Sequence, residues 1–140
     1  MLLGKITNTV DPKGRVIIPS TFRNDLGLQF YITRGLENCL FIFSKDEWIS
    51  FAERLSNNLP NSNPDYLDAY NHFVHNAIEC EADKQGRVLI PQELREYASI
   101  EKDILFIGDM TKVQAWNPIL YKNPDISKVR TVMYSSGIKL

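Results

Sequence analysis

Asp11-Pro-Lys-Gly-Arg-Val-Ile-Ile-Pro-Ser-Thr-Phe-Arg23 returns later in the chain as Asp83-Lys-Gln-Gly-Arg-Val-Leu-Ile-Pro-Gln-Glu-Leu-Arg95. Seven of the thirteen positions are identical, and Ile17/Leu89 and Phe22/Leu94 are conservative pairs. A duplication of this kind is read before any local propensity, because missing it misassigns the whole fold. The likeness continues outward. Gly35 followed by Leu40 and Phe43 matches Gly108 followed by Val113 and Trp116, and Trp48 matches Tyr121. The chain therefore reads as two copies of one unit, about 1–58 and 79–123.

Within the first copy, Lys5–Val10 alternates as a half-buried strand does. Asp11-Pro12-Lys13-Gly14 has the residues of a tight turn, and Gly14 and Gly86 supply a positive φ after it. Arg15–Ile18 is a short β-branched strand, Pro19 opens a short helix and Gly27 ends it. Tyr31–Thr33 and Cys39–Phe43 pair across the Gly-Leu-Glu-Asn loop. The second copy gives strands near 79–82, 87–90, 104–107 and 112–116, with a short helix from Pro91.

Two longer helices are expected between the copies. Ser44 with Glu47 forms a capping box, and Trp48, Phe51, Ala52, Leu55 and Leu59 make one apolar face. Asn63-Pro64 caps the next helix, whose face is Leu67, Tyr70, Val74, Ala77 and Ile78, after a connecting turn at Pro60–Pro64. These stripes read as core or subunit contact. The organisation is thus 1–58 first unit with its trailing helix, 59–78 connecting turn and second helix, 79–123 second unit, and 124–140 a segment without assigned role.

With 140 residues, 44% apolar and 24% charged, the chain has the balance of one globular domain and excludes a disordered polyelectrolyte. Its net charge of -1 excludes a general polycation, so any polyanion must meet a local patch. The uneven charge has two readings, ordinary solvated charge or a basic face of the repeats opposite an acidic helical insert. Residues 1–43 carry five basic and three acidic groups, residues 44–82 two and seven, and residues 83–140 nine and seven. No apolar run reaches the roughly 20 residues of a membrane span, and the first residues lack the features of a secretory signal.

Enzyme signatures such as a phosphate-binding Gly-rich loop, Gly-x-Ser-x-Gly or Cys-x-x-Cys do not occur. Cys39 and Cys80 read as buried, reduced thiols. His72 and His75 read as the polar side of a helix, paired as Asp68–His72 and His75–Glu79, and not as a metal site.

The repeated Asp-x-x-Gly-Arg carries the chemistry, and two readings stand side by side. In one, Asp11–Arg15 and Asp83–Arg87 are turn salt bridges. In the other, the turn holds Arg15 and Arg87 rigidly at a sheet edge, where a planar guanidinium matches phosphate or a guanine edge. Lys13 and Lys84 add point charges there, Asp11, Gly14, Asp83 and Gly86 support the geometry, and Arg23 and Arg95 either join the turn Asp or extend the basic face.

Asp11-x-Lys13-Gly14-Arg15-x-x-x-Pro19 followed by Asp83-x-x-Gly86-Arg87-x-x-x-Pro91, with the late Gly108 and Trp116, resembles the MraZ family of bacterial transcriptional regulators within the AbrB-like DNA-binding group. The resemblance covers about residues 1–122. It implies an α+β fold of two tandem AbrB-like β-β-α-β-β units interlocked as a pseudo-dimer. It implies a ring-shaped homo-oligomer that binds double-stranded DNA at repeated promoter elements of the cell-division and cell-wall operon. It also implies action in the cytoplasm at the nucleoid, with no cofactor. Lys13, Arg15, Lys84 and Arg87 are the implied DNA contacts; Gln85 stands where the first copy has Lys13. The competing reading is an oligomeric structural or protein-binding module whose Arg turns hold an acidic partner.

Overall fold

The computed structural model describes residues 1–60 and 62–140. The expected turn at 60–64 therefore includes a position, Asn61, outside the described residues. The elements run β1 (Lys5–Thr9), β2 (Arg15–Ile17), α1 (Ser20–Leu26), β3 (Gln29–Arg34), β4 (Cys39–Ser44), α2 (Lys45–Asn58) and α3 (Pro64–Val74). The second half follows as β5 (Ile78–Glu81), β6 (Arg87–Leu89), α4 (Gln92–Tyr97), β7 (Asp103–Asp109), β8 (Lys112–Trp116) and α5 (Ile126–Ser136).

Six strands form one antiparallel sheet in the order β1-β7-β8-β4-β3-β5, and β2 pairs with β6 in a separate ribbon. The order exchanges strands between the halves. β1 leaves its own half to pair with β7, Lys5 opposite Ile107, while β5 crosses to β3, with Cys80 opposite Phe30. β4 and β8 meet in the middle, Leu40 opposite Ala115.

One core lies between the sheet, the ribbon and the two short helices. Repeat-equivalent side chains fill it together: Val16 with Val88, Ile18 with Ile90, and Phe22 with Leu94 are all buried. The alternation of the strands sends these residues inward and leaves Arg15, Ile17, Arg87 and Leu89 on the other side of the ribbon.

The opposite sheet face is aromatic. Tyr31 stacks on Trp48 at 5.8 Å, Phe43 on Phe51 at 5.1 Å and Phe41 on Phe73 at 6.3 Å, so α2 and α3 cover β3 and β4. Ser44 caps α2 by accepting from the Glu47 amide (3.3 Å), and Asn63 caps α3 by accepting from the Asp65 amide (2.9 Å). Phe73 is the buried residue of α3, a position the expected helical face leaves out. Ile78 also differs from expectation. The helix stops at Val74, and Ile78 pairs with Ile32 as the first residue of β5, because the open edge of β3 offers a ladder of backbone bonds. Among the described residues, no helix is long and apolar enough to cross a membrane.

Candidate functional site

Each duplicated turn is closed by its aspartate. Asp11 Oδ1 accepts from the amides of Lys13 and Arg15, both at 2.9 Å, and Asp11 Oδ2 accepts from Arg15 Nε at 2.7 Å. Asp83 repeats the arrangement with the amides of Gln85 and Arg87 at 2.9 Å and Arg87 Nε at 2.8 Å. Gly14 (φ 84°) and Gly86 (φ 80°) sit in the left-handed region that the turn requires, and their amides donate to the carbonyls of Asp11 and Asp83. The amide bond from the arginine backbone is the main force lowering both aspartate pKa values, with the Arg side-chain bond adding to it and partial burial opposing it.

The turn salt bridge is therefore present in both copies, and it also orients the arginines. Nε is engaged by the aspartate, while the terminal Nη groups have no acceptor among the described residues. About a third of each arginine side chain is exposed (36% and 34%). The guanidinium plane is fixed on one edge and open on the other.

The ribbon brings the two turns together. Val16 faces Val88 on the pseudo-twofold, Arg15 faces Leu89, and Arg87 faces Ile17. Arg15 and Arg87 are thus diagonal neighbours on one face, a relation that spans about 7–8 Å between Cα atoms. Ile17 (46% exposed) and Leu89 (55%) complete that outward face. The ladder runs into the turns, since the Ile18 amide donates to Gly86 O (2.9 Å) and the Ile90 amide to Gly14 O (3.0 Å). Lys13 and Lys84 lie exposed in the turns, at non-equivalent positions of the two copies.

Among the described residues, the turn aspartates hold Arg15 and Arg87, and Arg23 and Arg95 form no ion pair with them. Each reaches across to the other half: a Cβ added at Gly14 would lie 2.8 Å from Arg95 Cζ, and one at Gly86 would overlap the Arg23 guanidinium. Arg95 Nε donates to Ile90 O at 2.8 Å, whereas Arg23 Nε is buried with no hydrogen-bond partner among the described residues. Their signal in the sequence is their own duplication four residues beyond Pro19 and Pro91. Crossed packing cannot be read from spacing within one copy.

The expected Asp68–His72 pair is replaced, and His75 and Glu79 do not share a helix, because α3 ends at Val74 and Glu79 lies in β5. His72 Nε2 donates to Gly35 O at 2.9 Å, and Tyr97 Oη donates to the same carbonyl at 2.6 Å. A carbonyl that joins α3 to α4 satisfies His72 in place of Asp68. Among the described residues, no group of three or more His, Cys, Asp or Glu is arranged to hold a metal. Cys39 and Cys80 are buried free thiols, and burial raises them to about 11 and about 12.

Fold and site together define a duplicated α+β protein built around a cationic two-stranded ribbon. The sequence matches the family described as "MraZ protein, putative antitoxin-like" over residues 1–68 and 73–123. It is 48% identical over 131 residues to the "Transcriptional regulator MraZ" of Caldanaerobacter subterraneus subsp. tengcongensis, covering 91% of each chain. It is 49% identical over 117 residues to the proteins of the same name from Caldicellulosiruptor bescii and Acetivibrio thermocellus, covering 84% of this chain and 81% of theirs. The chain belongs to the MraZ family, whose curated members carry the name of a regulator and not of an enzyme.

Proposed function

We propose that this protein is a sequence-specific DNA-binding transcriptional regulator whose β2–β6 ribbon is the reading surface. The observation that carries the reading is the pair of outward arginines, each held by its turn aspartate on a ribbon with twofold pseudo-symmetry. A two-stranded ribbon fits the roughly 12 Å major groove, and an arginine fork matches the guanine edge there. The names of the relatives support regulation of transcription.

In this reading Arg15 and Arg87 contact bases, and Lys13 and Lys84 contact phosphates. Ile17 and Leu89 lie beside the arginines on the same face, where thymine methyls would pack. Asp11, Gly14, Asp83 and Gly86 hold the geometry. The halves are AbrB-like units interlocked by strand exchange. The segments 1–58 and 79–123 are the two copies of a duplication, 59–78 connects them and 124–140 follows, and none of them is a unit of independent folding. The targets are short repeats in the promoter of the cell-division and cell-wall operon, met in the cytoplasm at the nucleoid.

A net charge of -1 gives one subunit little general pull toward DNA. A ring would align several ribbons, and linked weak sites gain about 10²–10⁴ in avidity. The test is a mobility-shift titration on duplexes from upstream of the protein's own coding region, carrying one to four repeats. Binding that steepens with repeat number, weakens with salt and vanishes in Arg15→Ala/Arg87→Ala is expected. Equal affinity for one copy and four removes the multivalent ring. Binding unchanged in the double variant removes the ribbon, and a protein partner for the Arg turns then takes its place.

A further inference from the structure

Helix α5 has no buried residue, yet Ile126, Val129 and Met133 share one side of it with Val132 beside them. Ile126 and Val132 are 58% and 60% exposed. A helix of 11 residues is marginal alone in water, so this stripe calls for a partner. The root of the helix is tied down. Tyr121 packs edge-on against Trp116 at 5.3 Å, Lys5 Nζ lies 5.9 Å over the Tyr121 ring, and Lys5 donates to Asn123 Oδ1 at 3.4 Å.

A separate groove of about 230 Å³ opens between α2 and α3, lined by Leu55, Leu59, Tyr66, Leu67 and Tyr70 among others. Exposed Glu53, Asp65 and Asp68 belong to the same two helices. The charges are complementary. Residues 44–82 carry seven acidic and two basic groups, whereas residues 122–140 carry Lys122, Lys128, Arg130 and Lys139 against Asp125 alone.

We propose that α5 is an assembly arm that seats its apolar stripe in the α2–α3 groove of a second copy. This rests on the assembly reading above and assigns its contact. The unseated stripe and the opposite charges argue for a second copy. The arm is rooted on β8 and β1, and the groove helices cover β3 and β4. Within one chain α5 has no buried residue, so its stripe is not seated in that chain's own groove. An arm in a neighbour's groove is a head-to-tail contact, the kind that closes rings.

Light scattering at micromolar concentration tests it on three full-length chains: wild type, Val129→Asp/Val132→Asp in the arm, and Leu67→Asp in the groove. All changed side chains are exposed (Val129 42%, Val132 60%, Leu67 47%), and circular dichroism verifies that each variant keeps the fold. The expected wild-type mass is a multiple of 16.1 kDa, and each variant falls to one chain. Mixed together, the variants retain one intact arm and one intact groove and form a two-chain complex. An arm variant that keeps the wild-type mass, or a mixture that stays monomeric, overturns the arm-in-groove contact while the ring stands. A monomeric wild type overturns both.

Discussion

Arg23, on the helix of the first half, lies across Gly86, in the turn of the second, so closely that a methyl group on the glycine would overlap its guanidinium. Arg95 stands in the mirrored relation to Gly14. The two halves are thus clasped at the point where the outward arginines are set.

Gly86→Ala is expected to destabilise the protein by about 1–2 kcal/mol from the left-handed backbone alone. Displacement of Arg23 adds to that. In an Arg23→Ala background only the backbone part should remain. Urea denaturation of the four chains of this cycle measures the coupling, and identical losses in both backgrounds would show that the added methyl does not displace Arg23.

On the ribbon, Arg15→Ala or Arg87→Ala should each weaken DNA binding by about 1–3 kcal/mol if the side chain reads a base. Replacing thymine by uracil in the target should weaken wild type by about 0.8 kcal/mol per methyl that is buried. The same replacement should leave an Ile17→Ala/Leu89→Ala chain unaffected. Quantitative footprinting on both duplexes separates the outcomes, and uracil sensitivity that persists in the double variant contradicts the contact.

Acid should open the turns. Asp11 and Asp83 are held below the ordinary value of 3.8, so their pairs support the fold fully above about pH 4. That support is lost as the pH falls through the lowered values. Denaturation midpoints measured from pH 6 downward should drop less steeply for Asp11→Asn/Asp83→Asn, which starts from lower stability. Parallel curves for the two proteins would assign acid sensitivity elsewhere.

Cys39 and Cys80 should resist alkylation at neutral pH, because burial raises them to about 11 and about 12, and react readily once the chain is unfolded. The linkage has the opposite direction to that of the aspartates. Above about pH 9 the unfolded thiols ionise while the buried ones stay protonated, so stability falls as pH rises. Mass spectrometry of timed labelling reports the first effect, and rapid modification of native protein would contradict the burial.

The duplicated stretch made the ribbon, its turns and its short helices legible, because Asp, Gly and Pro act locally and announce their geometry in the sequence. The outward face was legible in principle too: with Val16 and Ile18 inward, alternation leaves Arg15 and Ile17 outside. The exchange of β1 and β5 was not legible from the residues, since periodicity identifies a strand and not its partner. Ile78 shows the same limit. Its apolar character fits a helical stripe or a strand, and only the open edge of β3 decides between them. Phe73 and the crossed arginines depend on contacts between distant segments, which spacing within one segment does not encode.

The pairing of Lys5 with Ile107 sets the timing of folding. The first strand leaves the ribosome early and has no hydrogen-bonding partner until roughly a hundred further residues are made. At about 5–20 residues per second, that is about 5–20 s of waiting. The β3–β4 hairpin can form meanwhile, but β1 cannot dock until β7 arrives. Closure over so long a loop raises contact order and slows folding. A nascent chain halted before β7 would carry an unpaired strand, and that exposed edge is where chaperones or aggregation would act on this protein.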